Sequence, residues 1–179
     1  MLKKIISVCL RKAIKNLRFI STDLYISLYS KYLKMIGIQF TGDEKKIKFI
    51  DASVYFDGSD YTLISLGDNV TISKEVMILT HDYSITTALC SIGKKILRNQ
   101  GELYFLKKVS IGNDTFIGAR ASLLPGAKVG NNCIIGACAV VKGEVPDNSI
   151  AIGNPLKIIG CTTDYANLHL DLKDYKVEI

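Results

Sequence analysis

Two histidines, His81 and His169, stand in the 179-residue chain. A neutral imidazole within hydrogen-bond reach of a hydroxyl can take its proton as the hydroxyl attacks. His81 lies in the run ILTHDYS, and Asp82 follows it at once. An acid beside an imidazole can orient the ring or stabilise its protonated form. Adjacent side chains also point apart, so a solvated loop acid or a contact to the hydroxyl-bearing acceptor is the alternative reading of Asp82. A single histidine is structural more often than chemical, and residue type alone leaves His81 open. Two imidazoles cannot supply a three-histidine metal site from one chain, and no metal is expected. The five cysteines, Cys9, Cys90, Cys133, Cys138 and Cys161, are odd in number and form no CxxC pair. That argues against a disulfide framework or a zinc ribbon and for reduced thiols in a cytoplasmic protein. Cys133 and Cys138 read as packing residues, and no serine or cysteine has the surroundings of an activated nucleophile.

A repeat must position these groups. From Ile111 the chain divides into IGNDTF, IGARAS, LLPGAK, VGNNCI, IGACAV and VKGEVP, with an aliphatic residue at every first position and a small one at most fifth positions. The same frame runs earlier through LGDNVT, ISKEVM and ILTH, from Leu66 to His81. With the segment 82–108 set aside, Val109 and Ser110 complete the hexad begun at Ile78, and Ile111 falls one whole coil after Leu66. The insert therefore leaves the repeat in register and reads as a loop extruded from one corner. A hexad with one aliphatic corner residue predicts short parallel strands and tight turns wound into a β-helix, three hexads to a coil. Glycine at position two is expected to supply backbone freedom. Before Leu66 the frame frays; Val54 fits the first position while Lys48 and Asp60 do not, and a degenerate first coil is expected near 47–65.

The first twenty residues predict an amphipathic helix. Leu2, Ile6, Cys9, Ala13, Leu17 and Ile20 make the apolar stripe, with Lys4, Ser7, Arg11, Lys15 and Arg18 opposite. Ser21, Thr22 and Asp23 are capping residues for a second helix with Leu24, Leu28, Tyr32 and Met35 on one face and Gly37 as its terminator. The net charge of +6 is uneven: residues 1–50 carry eleven bases against three acids, and the remainder is slightly acidic. The basic helix permits peripheral membrane contact through residues 1–20, and packing against the β-helix is the plainer role. No apolar run reaches the roughly 18 residues of a membrane span. The body carries no recognition motif for nucleic acid, and none is expected as a partner.

These hexads, the loop after His81 and the closing GNPLK (153–157) resemble the hexapeptide-repeat acyltransferases, nearest in type to the O-acetyltransferases of sugars and surface polysaccharides. The resemblance covers roughly residues 47–160. It implies a mainly β fold, a left-handed parallel β-helix carrying N-terminal helices and an extruded loop. The domain reading is a helical segment at 1–46, the β-helix at 47–160 with loop 82–108 inserted, and a tail at 161–179. The resemblance further implies a homotrimer with sites between subunits, acetyl-CoA as donor and a glycan or sugar hydroxyl as acceptor, acting in the cytoplasm or at the inner face of the membrane. It places the catalytic histidine at His81, with Asp82 beside it. It places CoA contacts at Gly118, Ala119, Gly136 and Ala137, where residues one coil apart stack, and at Lys142, Asn154, Pro155 and Lys157, with Lys128 a further cation near the phosphates. The basic loop, carrying Lys94, Lys95, Arg98, Lys107 and Lys108, is expected to cover the cleft and meet CoA or an anionic acceptor. His81 is followed by Asp82 where the galactoside and maltose branch has proline, which points to a different acceptor. An N-acetyltransferase of an amino sugar or nucleotide sugar and a non-enzymatic trimeric scaffold are the alternatives.

Overall fold

The aliphatic first positions all turn inward in the computed structural model, which describes residues 2–94, 101 and 103–170, without the side chains of 2–9. Ile72, Ile78, Ile117, Leu123, Ile135 and Val141 are fully buried, one above another. Each such side chain contributes about 1.5–3 kcal/mol on leaving water. Between them run two- to four-residue strands on three faces. The first face stacks residues 39–40, 64–66, 109–111, 128–129 and 144–145. The second stacks 49–50, 71–72, 116–117, 134–135 and 149–152, and the third stacks 55–56, 77–78, 122–123 and 140–141. All these pairings are parallel, with Phe116 opposite Ile134 and Ser122 opposite Val140, three hexads further along the chain. The architecture is a parallel β-helix, as the hexads implied, and left-handed, as the resemblance implied.

The glycines at position two serve differently from the expectation. Gly67, Gly112, Gly118 and Gly136 have no positive φ. A Cβ on Gly118 would lie 2.5 Å from the Ala137 nitrogen, and one on Gly112 would lie 2.6 Å from the Gly130 carbonyl carbon. They are glycines because the next coil occupies that space, by its backbone at Gly67, Gly112 and Gly118 and by the Ile152 side chain at Gly136. The left-handed residues stand at position four: Asn69, Asp114, Asn132 and Asn148 at the first corner, Glu75, Arg120 and Cys138 at the second, Gly126 at the third. Asn and Asp tolerate that conformation best among residues with a Cβ. Cys133 is buried as expected of a packing residue, whereas Cys138 is exposed at its turn.

The first corner carries a ladder. Asn113 Oδ1 accepts from the Asp68 N–H at 2.8 Å, Asn131 Oδ1 from Asn113 N–H at 2.8 Å, and Asp147 Oδ1 from Asn131 N–H at 2.7 Å.

In the first coil the frame differs from the sequence reading. Ile50 and Phe56, not Val54, align with Ile72 and Ile78, so this coil is longer than three hexads. The extra length is absorbed in the turn after Phe56, where residues 61–63 form a short 3-10 helix. Gln39–Phe40 already pair with Ser65–Leu66, so the coil stack takes in residues before 47.

Helix α1 (Leu2–Leu17) and helix α2 (Thr22–Ile36) cover the open start of the stack. Ser21 caps α2, and Gly37 ends it at φ 115°. The packed face of α2 is Tyr25, Tyr29, Tyr32 and Leu33; Leu24 and Met35 are exposed. Two members of the basic stripe on α1, Arg11 and Arg18, turn inward, while Lys15 stays exposed. Arg11 donates to the carbonyls of Ala52 and Val54, and Arg18 donates to Asp51 at 2.8 Å. Ile14 between them is buried, while Ala13 and Ile20 of the expected apolar stripe differ, Ile20 being exposed. The first coil has carbonyls with no coil before it to pair with, and guanidinium groups meet that need where methyl groups cannot. Leu2, Lys4, Ile6, Ser7 and Cys9 lie outside the described side chains. At the other end residues 157–161 run back antiparallel along 149–152, and helix α4 (Thr162–His169) follows.

Candidate active site

The third corner holds the candidate base. Asp57-Gly58-Ser59 turns the chain there, with Asp57 Oδ1 accepting from the Ser59 N–H at 3.2 Å and its hydroxyl at 3.1 Å. The other carboxylate oxygen points up one coil. It accepts from the Thr80 N–H and hydroxyl, each at 2.9 Å, and from the His81 N–H at 3.0 Å. His81 Nδ1 closes on that same oxygen in a short contact, and the Ser59 hydroxyl stands 3.0 Å from Nδ1. The Asp57 side chain is 1% exposed and the imidazole 26%. Burial opposes ionisation of Asp57, but donation from Thr80, Ser59 and His81 outweighs it and holds the carboxyl down at about 2. An ionised Asp57 fixes the tautomer with hydrogen on Nδ1, which leaves Nε2 of the neutral ring as an acceptor.

Asp82 does not fill the orienting role expected of it. Its Oδ1 accepts from the Ser84 N–H at 2.7 Å, which holds its carboxyl below the usual carboxylate range and turns the chain into helix α3 (Ser84–Ser91). The extruded loop thus contains a helix, and its two ends pair as strands, His81 opposite Leu106 and Asp82 opposite Phe105. Lys107 N–H then donates to the Thr80 carbonyl at 2.9 Å. Lys95 and Arg98 lie outside the described residues.

A cleft of about 450 Å³ opens beside the imidazole. Leu79, Phe105, Leu124 and Pro125 give it apolar walls, and His81, Asp82, Lys107 and Lys142 bring the polar groups. Of the expected site residues, this cleft unites His81, Asp82 and Lys142. Gly118, Ala119, Gly136, Ala137, Asn154 and Pro155 lie at the second corner of the same chain, and Lys157 starts the reversed strand on the second face. Ala119 lines a separate groove of about 720 Å³ with Arg18, Phe19 and Lys74. Lys128 is engaged with Glu144 at 2.5 Å.

The second corner differs from the first in one respect that matters for a ligand. At the first corner Asn and Asp side chains satisfy the position-three N–H groups. At the second, that position is Ala119 and Ala137, and neither N–H has an acceptor among the described residues. Backbone N–H groups left without acceptors beside small side chains can bind a carbonyl oxygen.

Asp57 is the residue that sequence reasoning missed. A signal for it exists: Asp51-Ala52-Ser53 and Asp57-Gly58-Ser59 recur one hexad apart. Asp51 makes the same turn onto Ser53 but holds Arg18 where Asp57 holds His81.

Comparison with known proteins bears on the repeat and the fold. The family model for bacterial transferase hexapeptide (six repeats) matches residues 108–143. Protein CapG of Staphylococcus aureus is 34% identical over 143 residues, covering 80% of this chain and 77% of that protein. Galactoside O-acetyltransferase of Escherichia coli is 34% identical over 119 residues, covering 66% of this chain and 53% of that protein. The chain spans about half the length of several curated relatives it matches. Among solved structures, a galactoside acetyltransferase in complex with coenzyme A superposes with a TM-score of 0.60 at 24% identity, over 94% of this chain and 86% of that one.

Proposed function

The chain belongs to the hexapeptide-repeat acyltransferase family, and we propose that it transfers an acetyl group from acetyl-CoA to a hydroxyl of a sugar in a surface polysaccharide or its precursor. The observation that carries this reading is the Asp57–His81 pair at the mouth of an open cleft. Acetyl-CoA supplies an activated acyl carbon. His81 Nε2 takes the acceptor's hydroxyl proton as the oxygen forms its bond to that carbon. The carbon–sulfur bond breaks, and His81 returns the proton to the departing sulfur. Asp57 touches neither reactant. It is a positioning residue that holds the ring in the useful tautomer and offsets the positive charge the ring gains. The N–H groups of Ala119 and Ala137 fit the donor end, with Gly118 and Gly136 keeping the coils close beneath them. Lys157 and the turn at Asn154–Pro155 fit the rest of the CoA molecule, where cations offset phosphate charge, while Lys142 lines the cleft beside His81 instead.

In one chain the base and these donors stand at different corners. The reading therefore joins neighbouring copies, one copy's second corner beside the other's third corner, in a homotrimer with sites between subunits. The reading places the protein in the cytoplasm, at or near the membrane face where glycan precursors lie; no described helix is long and apolar enough to cross a membrane.

The test is CoA release from acetyl-CoA with a panel of neutral, acidic and amino sugars, comparing wild type with His81→Ala. Acceptor-dependent release from wild type, lost in a folded mutant, is the expected result. Turnover unchanged by the mutation would remove His81 from the chemistry, and transfer to amines alone would replace O-transfer by N-transfer.

A further inference from the structure

The stem of the inserted loop sets three aromatic side chains beside the base. Tyr83 meets the His81 ring edge-on at 5.1 Å between centroids, and Tyr104 packs on Tyr83 at 4.8 Å. Phe105 lines the cleft itself. All three stay exposed, between 41% and 46%. Exposed aromatic clusters mark places where another molecule is received. A pyranose has one face of C–H groups bounded by hydroxyls, and a tyrosine pair presents an apolar face with polar tips. The reacting hydroxyl must lie within hydrogen-bond reach of His81, so the sugar ring falls within reach of Tyr83 as well.

A cation completes this surface. Lys107 follows the loop's returning strand, and its N–H bond to the Thr80 carbonyl fixes it at the level of His81. Its ammonium lies over the Phe105 ring at 5.6 Å, and it makes no ion pair among the described residues. Asp82 is the one acid lining the cleft, against the two cations Lys107 and Lys142. The Asp57 carboxylate is buried and fully engaged with its own donors. Acetyl-CoA has no charge to offer here. The acetyl group and thioester are neutral, and the phosphates stand beyond the uncharged pantetheine arm. What remains to face Lys107 is the acceptor.

We propose that the acceptor is an anionic sugar, its ring lying on Tyr83, Tyr104 and Phe105 and its negative group paired with Lys107. This rests on the acetyltransferase reading above. Carboxylate and phosphate substituents share the required charge, so the probes separate them: methyl β-glucoside, methyl β-glucuronide and glucose 6-phosphate, with their galactose counterparts. Binding to the CoA-loaded protein is read by saturation-transfer NMR, and acetyl transfer is read in parallel. The anionic members should bind more tightly than the neutral ones, with an advantage that shrinks as salt is raised. Lys107→Met keeps the aliphatic stem and should cost the anionic sugars about tenfold in affinity, the scale of one lost charge contact. Neutral sugars and CoA should be affected far less. Tyr104→Ala should weaken neutral and anionic sugars alike. Equal binding of neutral and anionic sugars by wild type overturns the proposal, as does an equal loss for both in Lys107→Met. So does binding of none of these sugars while CoA still binds. Absence of CoA binding and of acetyl transfer to every sugar is a different result, which refutes the acetyltransferase reading and this inference with it.

Discussion

Replacing Asp57 by Asn tests whether a buried carboxylate governs the imidazole. The change keeps the shape of the side chain and removes its charge. One Asp57 oxygen serves Ser59 and the other serves Thr80 and His81. An amide has one oxygen, so either orientation turns an N–H₂ group towards existing donors. The usual carboxyl value of 3.8 falls to about 2 in the fold. At about 1.36 kcal/mol per pH unit, that gap contributes roughly 2–3 kcal/mol of stability. The sign follows from a depressed value: the contribution is complete above pH 4 and is lost as pH falls through about 2. For a chain of this length the loss corresponds to a fall of roughly 5–10 °C in melting temperature at pH 7. The mutant's disadvantage should narrow in strongly acidic solution. Turnover should fall by about 10²–10⁴-fold, because the ring loses both its tautomer and its counter-charge. The KM for acetyl-CoA should hold, since Asp57 is placed to touch neither reactant. Steady-state kinetics and thermal melts across pH read both effects. A folded Asp57→Asn protein with turnover within about threefold of wild type would refute the positioning role.

Three further outcomes follow from the packing. Gly118→Ala places a Cβ 2.5 Å from the Ala137 nitrogen and should destabilise the protein by about 2–4 kcal/mol in urea titration; a neutral result would mean the coils can separate at that corner. Arg18→Met strands the Asp51 carboxylate, whose side chain is 3% exposed, and should cost about 3 kcal/mol, visible as an earlier thermal transition at neutral pH. Arg120→Ala removes a pair with Glu75 between exposed side chains, and its melting curve should match that of wild type.

The repeat made most of the fold legible because each hexad uses the same residue types for the same contacts. Ile72, Ile117 and Ile135 could be placed one above another by counting alone. Counting failed where the coil was lengthened after Phe56, since no aliphatic residue marks an insertion inside a corner. It also failed on α1, where the stack's open end reverses the usual preference and draws Arg11 and Arg18 inward. His81 was legible because the frame breaks immediately after it. Asp57 was not, because the pair forms between neighbouring coils, across a stretch where the repeat count had slipped. On α2, Tyr32 packs as expected, but Leu24 and Met35 give way to Tyr25, Tyr29 and Leu33, because a tyrosine stack packs against the coil.

Both ends of the β-helix are finished by something other than another coil. At the start, the Arg11 guanidinium and the Tyr25 hydroxyl occupy carbonyls of Ala52, Val54 and Ile50. At the far end, residues 157–161 lie against the last parallel strand in the opposite direction. A parallel stack with bare ends is a template for itself: one molecule's last coil could seat another's first, and the product would be a fibre with no natural length. The helices and the reversed strand act as chain terminators of that polymerisation. They let a fold built from an unlimited repeat exist as a discrete particle whose association is left to its sides.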